Sequence, residues 1–88
     1  MSPAYHPRAY LSGMKNVSRG LASRTKIIEA MEQGKTRVAE ISEKSKLGQA
    51  CVSYHLKLLL RRKVVHLTRT GRTGRWTLTE YGQEKLFI

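Results

Sequence analysis

Between Gly48 and Arg62 the chain separates two chemistries onto two sides of one helix. At about 100° per residue, Val52, Leu56, Leu59 and Leu60 fall together and call for a core. Ala50, Ser53, Tyr54, Lys57 and Arg61 fall roughly opposite, with Gln49 at the leading edge. That second side is small at its start, hydrogen-bonding in its middle and basic toward its end. A helix lying in a DNA major groove needs this order: short side chains for close approach, donors and acceptors for base edges, and cations for phosphates. The same pattern also describes an ordinary amphipathic helix with a solvated polar face, so the rest of the chain decides between the two.

Other chemistries find less support. The chain has no Gly-rich phosphate loop, no metal-ligand cluster and no paired-carboxylate constellation, so neither an enzyme nor a cofactor is expected. His6 falls in an N-terminal stretch and His66 in an alternating segment, where a surface or cross-strand role fits best. Cys51 and His55 are four apart and can share a helix face, but two ligands do not close a metal site. With one cysteine in the chain, no intramolecular disulfide forms, which suits a reducing interior.

Charge is unevenly distributed. The 88 residues carry a formal net charge of +11. From Lys44 to Arg75 there are nine Lys/Arg and no acid, and from Met1 to Ile28 five basic residues and again no acid. The six carboxylates lie only within Glu29–Glu43 and Glu80–Glu84. Such segregation points to a polyanionic partner, most simply nucleic acid. An anionic membrane surface is the competing partner. No apolar run approaches a spanning length and no signal h-region is present, so no membrane insertion is expected and a cytoplasmic, nucleoid-associated location is.

The elements that must position the two-sided helix follow in order. Residues 1–17 hold both prolines, Gly13 and scattered cations without helical or strand period, and read as a flexible basic arm; residues 18–88 read as one domain with a modest core. A first helix runs from about Arg19 or Arg24 to Gln33, with Ser18 or Ser23 as its cap. Leu21, Ile27, Ile28 and Met31 form its apolar stripe, and Gly34 takes the left-handed position beyond its end. Thr36 is the expected cap of a second, shorter helix that buries Val38, Ala39 and Ile41 through about Lys44. Ser45–Gly48 then turns tightly into the long helix, giving a helix-turn-helix. Beyond Arg62 the period becomes alternating. Two strands bury Val65, Leu67, Trp76 and Leu78 around a Gly-containing turn whose tip gathers Arg69, Arg72 and Arg75. Thr79 is the expected cap of a C-terminal helix through Ile88. The fold class is mainly α with a β-hairpin wing: a winged helix-turn-helix with a three-helix core plus a C-terminal helix.

Arg24–Met31, Val38-Ala39-Glu40-Ile41 and Val52-Ser53-Tyr54-His55-Leu56-Lys57-Leu58-Leu59, in that order and spacing, resemble the ArsR-like winged helix-turn-helix regulators, in which a Ser-x-His-Leu segment lies in the recognition helix. Trp76-Thr77-Leu78-Thr79-Glu80-Tyr81-Gly82 and the residues after it are similar to the second wing strand and following helix of MarR-like and PadR-like proteins as well. The resemblance covers about Ser18 to Ile88. It implies a double-stranded-DNA-binding transcriptional regulator, a repressor and a homodimer, with residues 48–62 in the major groove and the wing 69–75 on backbone or minor groove. The expected DNA contacts are Thr36, Arg37, Lys46, Gln49, Ala50, Ser53, Tyr54, Lys57, Arg61, Arg69, Arg72 and Arg75.

The chain also departs from that pattern. Metal-sensing members carry a cysteine pair near the motif, where this chain has Val38-Ala39-Glu40-Ile41. With no ligand set and no appended effector domain, neither metal nor small-molecule control is expected; abundance or a partner protein would set its activity. An architectural, nucleoid-type or RNA-binding winged helix is the alternative. Gln49, Ser53 and Tyr54 favour base reading over it, because backbone binding alone needs only Lys and Arg.

Overall fold

The computed structural model describes residues 5–11, 18–71 and 73–79. The long helices are α1 (Ser18–Glu32), α2 (Val38–Ser45) and α3 (Gln49–Arg61), followed by strands β1 (Val65–Thr70) and β2 (Thr73–Leu78). The strands pair antiparallel as a two-stranded sheet, with Val65 opposite Leu78 and Leu67 opposite Trp76. Three helices and a hairpin in this order form a winged helix-turn-helix. The expected C-terminal helix falls on residues 80–88, outside the described residues.

The core sits where the three helices meet the base of the hairpin. Ile27 and Ile28 of α1, Ile41 of α2, Val52, Leu56 and Leu59 of α3, and Val65 of β1 are its largest fully buried side chains. Burying each contributes about 1.5–3 kcal/mol. Trp76 closes the open side from β2 at 8% exposure, and Leu47, Leu58, Leu67 and Leu78 pack around the margin. Trp76 is also fixed through its backbone, its N–H donating to the Thr36 carbonyl at 2.7 Å. That bond joins the wing to the loop between α1 and α2.

The termini of the helices follow their residue types. Gly34 takes φ 93° just after α1, a conformation that costs a Cβ-bearing residue and not glycine. The start of α2 differs from expectation: the N-cap is Arg37, and Thr36 lies one residue before it. An arginine side chain has only donors and cannot cap. Glu40 does so from inside the first turn, its carboxylate accepting the N–H groups of both Thr36 and Arg37 at 3.3 Å. Lys46 ends α2 with φ 61°, and Gly48 is the N-cap of α3.

Two buried-side assignments change, and one residue without an assignment joins the core. Ala39 is exposed, because α2 is short and turns Ile41 and Ser45 inward. Leu60 is 37% exposed while Val64 is 9% exposed. The chain leaves α3 through Lys63 in a left-handed conformation (φ 62°), and this reversal brings Val64 inward beside Val65. Thr79 closes the same junction: its N–H and its hydroxyl both donate to the Val64 carbonyl, at 3.0 and 3.1 Å, and the hydroxyl also reaches the Lys63 carbonyl; whether it also caps a helix lies outside the described residues.

The largest difference lies before α1. Residues 1–17 read as an arm separate from the domain, yet Tyr5–Leu11 docks on α1, with Pro7–Ala9 forming a short 3-10 turn. Ala9 and Leu11 are buried at 0% and 2% exposure. The backbone N–H of His6 donates to Thr25 Oγ1 at 2.9 Å, and the His6 ring meets Glu32 at 3.0 Å. Short apolar residues spaced by prolines show no period, so nothing in their pattern announces this docking.

Candidate nucleic-acid interface

The turn that aims α3 is built from serines. Ser42 Oγ donates to the Leu47 carbonyl at 2.5 Å, and the Leu47 N–H donates to Ser45 Oγ at 3.4 Å. These bonds satisfy backbone groups that neither helix can reach and fix the angle between α2 and α3. Leu47 packs against the core beneath them, leaving Lys46 exposed above the turn.

On α3, Val52, His55, Leu56 and Leu59 face inward. Gln49, Ala50, Tyr54, Lys57 and Arg61 are exposed and Ser53 is half-buried, so the small, hydrogen-bonding and basic residues share one outward face. Tyr54 is 59% exposed and has the largest exposure among the large hydrophobic residues described. Arg37, on the approach to α2, is exposed, and Thr36 is half-buried with its backbone engaged with Glu40 and Trp76. Glu40 is held below the usual carboxylate range, first by the Thr36 N–H and then by the Arg37 N–H, with Lys35 and Arg37 charges adding to this.

The hairpin register separates its arginines. Arg69 pairs with Gly74 and Arg75 with Thr68, so alternation along the strands puts the two arginines on opposite faces of the wing. Both are exposed. Gly74 matters here, since a Cβ at that position would come within 3.2 Å of Leu67 Cδ1. Gly71 bends the tip at φ 62°; Arg72 lies outside the described residues. Arg62 and Lys63 are further exposed cations at the α3–β1 junction that had no place among the expected contacts. The left-handed turn at Lys63, which no local motif signals, is what displays them.

His55 belongs to the inward side. It is 8% exposed, and its Nδ1 is buried without a hydrogen-bond partner. Burial lowers its pKa below the ordinary value of 6.5, and the nearby Arg24 charge lowers it further, so the ring is neutral at pH 7. Cys51, one turn earlier, is half-buried and not in a disulfide. Among the described residues no three His, Cys, Asp or Glu side chains are grouped to hold a metal ion, and no helix is long and apolar enough to cross a membrane.

The fold and the two-sided α3 define a winged helix-turn-helix regulator. Residues 22–66, covering α2, α3 and most of α1, match the family described as bacterial regulatory protein, arsR family; the chain belongs to that family. Among solved structures it is similar to a mutant of Lactococcus lactis ZitR, with TM-score 0.58 and 24% identity over 86% of this chain. The chain spans about half the length of that protein (54%). No curated protein matches it.

Proposed function

We propose that the chain binds double-stranded DNA with sequence preference as a small transcriptional regulator, and represses by occupying its site. One observation carries this reading: the outward face of α3 holds Gln49, Ala50, Ser53 and Tyr54 ahead of Lys57 and Arg61. Placed in a major groove, the first four meet base edges and the last two meet phosphates. Arg37 and Lys46 reach the flanking backbone with Thr36 beside them. The wing enters an adjacent groove edge-on with Arg69 and Arg75 toward its two walls, and Arg72, between them in sequence, adds a third phosphate contact in this reading.

Residues 18–88 serve as the DNA-binding domain in this reading, and the part of 1–17 docked on α1 braces it. The chain acts as a homodimer in this reading, as regulators of this fold commonly do, and two copies read two half-sites about one helical turn apart. It needs neither a metal nor a small-molecule effector to bind and performs no catalysis. Its place is the cytoplasm, on the nucleoid.

Selection of bound duplexes from a random pool tests the reading. A pseudo-palindromic motif is the expected result. Enrichment of no motif, with tight binding nonetheless, overturns base reading in favour of an architectural role driven by the +11 charge.

A further inference from the structure

Among the described residues, left-handed φ occurs at Gly34, Lys46, Lys63 and Gly71. Two of these are glycines, as the geometry favours. The two that are not are both lysines, and they flank the two ends of α3. Lysine lacks the short polar side chain that eases this conformation for asparagine and aspartate.

The same turn closes two helices of this chain, which isolates what the lysine adds. At the end of α1, the Gly34 N–H donates to the Met31 carbonyl at 3.0 Å and the Lys35 N–H to the Ala30 carbonyl at 3.2 Å. At the end of α3, the Lys63 N–H donates to the Leu60 carbonyl at 3.1 Å and the Val64 N–H to the Leu59 carbonyl at 2.9 Å. Both are Schellman closures, in which the residue past the cap is left-handed and is usually glycine. The end of α1 follows this rule with Gly34 at φ 93°, whereas α3 has Lys63 there at φ 62°. The closure is made by backbone groups alone, and Thr79 takes the Lys63 carbonyl. The Lys63 side chain serves none of this; it is exposed and in no ion pair among the described residues.

Its location gives it another use. The thirteen residues of α3 span about 20 Å, more than the roughly 12 Å width of a DNA major groove. A helix of that length inclined in the groove brings its two ends toward opposite phosphate backbones. The C-terminal end carries the negative pole of the helix dipole, which repels phosphate, so contact there requires cations. Arg61, Arg62 and Lys63 supply them, and no acid lies between Lys44 and Arg75 to neutralise them.

We propose that Lys63 is a phosphate-binding residue, seated at the left-handed closure of α3 in place of glycine so that its ammonium meets the DNA backbone at the trailing end of the helix. Lys46, left-handed at the leading end, is its counterpart on the other strand. The inference rests on the reading that α3 lies in the major groove. It anchors that helix at both ends, which sets the register of the residues between them against the bases.

The test takes the full chain with Lys63→Gly and Lys63→Arg. It reads melting temperature together with affinity for a selected and a random duplex across a salt series. Lys63→Gly relaxes the backbone and removes the charge, so its melting temperature holds or rises while binding weakens. Its slope of log K against log salt becomes shallower by about 0.9, the share of one phosphate. At about 100 mM salt that is a loss of about eightfold on both duplexes alike, vanishing as salt approaches about 1 M. Lys63→Arg keeps the charge, and with it the slope and affinity of the wild type.

An unchanged slope in Lys63→Gly, a loss confined to the selected duplex, a fall in its melting temperature, or an equal loss in Lys63→Arg overturns the proposal. A wild-type chain without preference for the selected duplex removes the reading beneath the proposal and the proposal with it. A discriminating wild type with an undisturbed Lys63→Gly overturns the phosphate contact only.

Discussion

Replacing Arg69 and Arg75 together with alanine should change how DNA binding responds to salt and little else. Both side chains are exposed on opposite faces of the wing, and neither is in an ion pair within the described residues. Surface substitutions of this kind shift stability by about 0.5 kcal/mol or less, so the melting temperature should hold. If each arginine neutralises one phosphate, the slope of log K against log salt becomes shallower by about 0.9 per residue, or about 1.8 for the pair. Between about 50 and 200 mM salt, that difference makes the affinity penalty of the double variant about twelvefold larger at the low end. Fluorescence anisotropy on selected and random duplexes across a salt series measures it, and both duplexes should show the same change. An unchanged slope would place the wing away from the phosphates, and a large fall in melting temperature would assign the arginines to the fold.

Tyr54→Ala and Gln49→Ala should each lose preference among duplexes, by about 1–3 kcal/mol where a good base contact is removed, while random-duplex affinity holds; equal losses on both would refute their base contacts. Leu56→Ala should cost about 2–5 kcal/mol in a urea melt, because the side chain is fully buried. The pH dependence follows from His55. Its folded-state pKa lies below its unfolded value of about 6.5, so its contribution to stability is full above that pH and is lost as pH falls through the folded value. Melting temperature should therefore decline below about pH 6.5, and His55→Gln should flatten that part of the profile; Glu40, lowered by the Thr36 and Arg37 N–H groups, does not contribute to this part of it. Sedimentation at micromolar concentration should show two 10.0 kDa chains added to the mass of each palindromic duplex at saturation, and only single copies on DNA would contradict the dimer.

Periodicity made the helices and the wing readable in advance because each carries its own repeat. Leu21, Ile27, Ile28 and Met31, then Val52, Leu56 and Leu59, mark buried stripes that need no knowledge of their neighbours. The outward face of α3 was readable for the same reason, as the complement of its stripe. What escaped depends on contacts between distant segments. His6–Leu11 has no period, and its docking depends on Thr25, Glu32 and Arg24, which are 15 to 26 residues away in the chain. Arg24 itself reads as a surface cation in a basic chain, and only the Ala9 carbonyl and the space at Gly20 make a buried seat for it. The exchange of Leu60 for Val64 at the core turns on one left-handed residue, Lys63, a conformation lysine shows too rarely to be anticipated. Capping by Glu40 from within α2 was legible in principle, since a glutamate at the third helical position is a known partner of the N-cap backbone, but Thr36 beside it drew the assignment.

Binding to a selected duplex carrying base analogues tests most directly whether α3 reads the major groove. Purines lacking the N7 acceptor, placed one at a time across the site, remove a major-groove contact and leave the minor groove intact. The account predicts a cluster of sensitive positions within each half-site for the wild-type chain, with at least one of them silent in Tyr54→Ala. Uniform tolerance of every N7 substitution, alongside loss of binding when the minor groove is blocked, would contradict it.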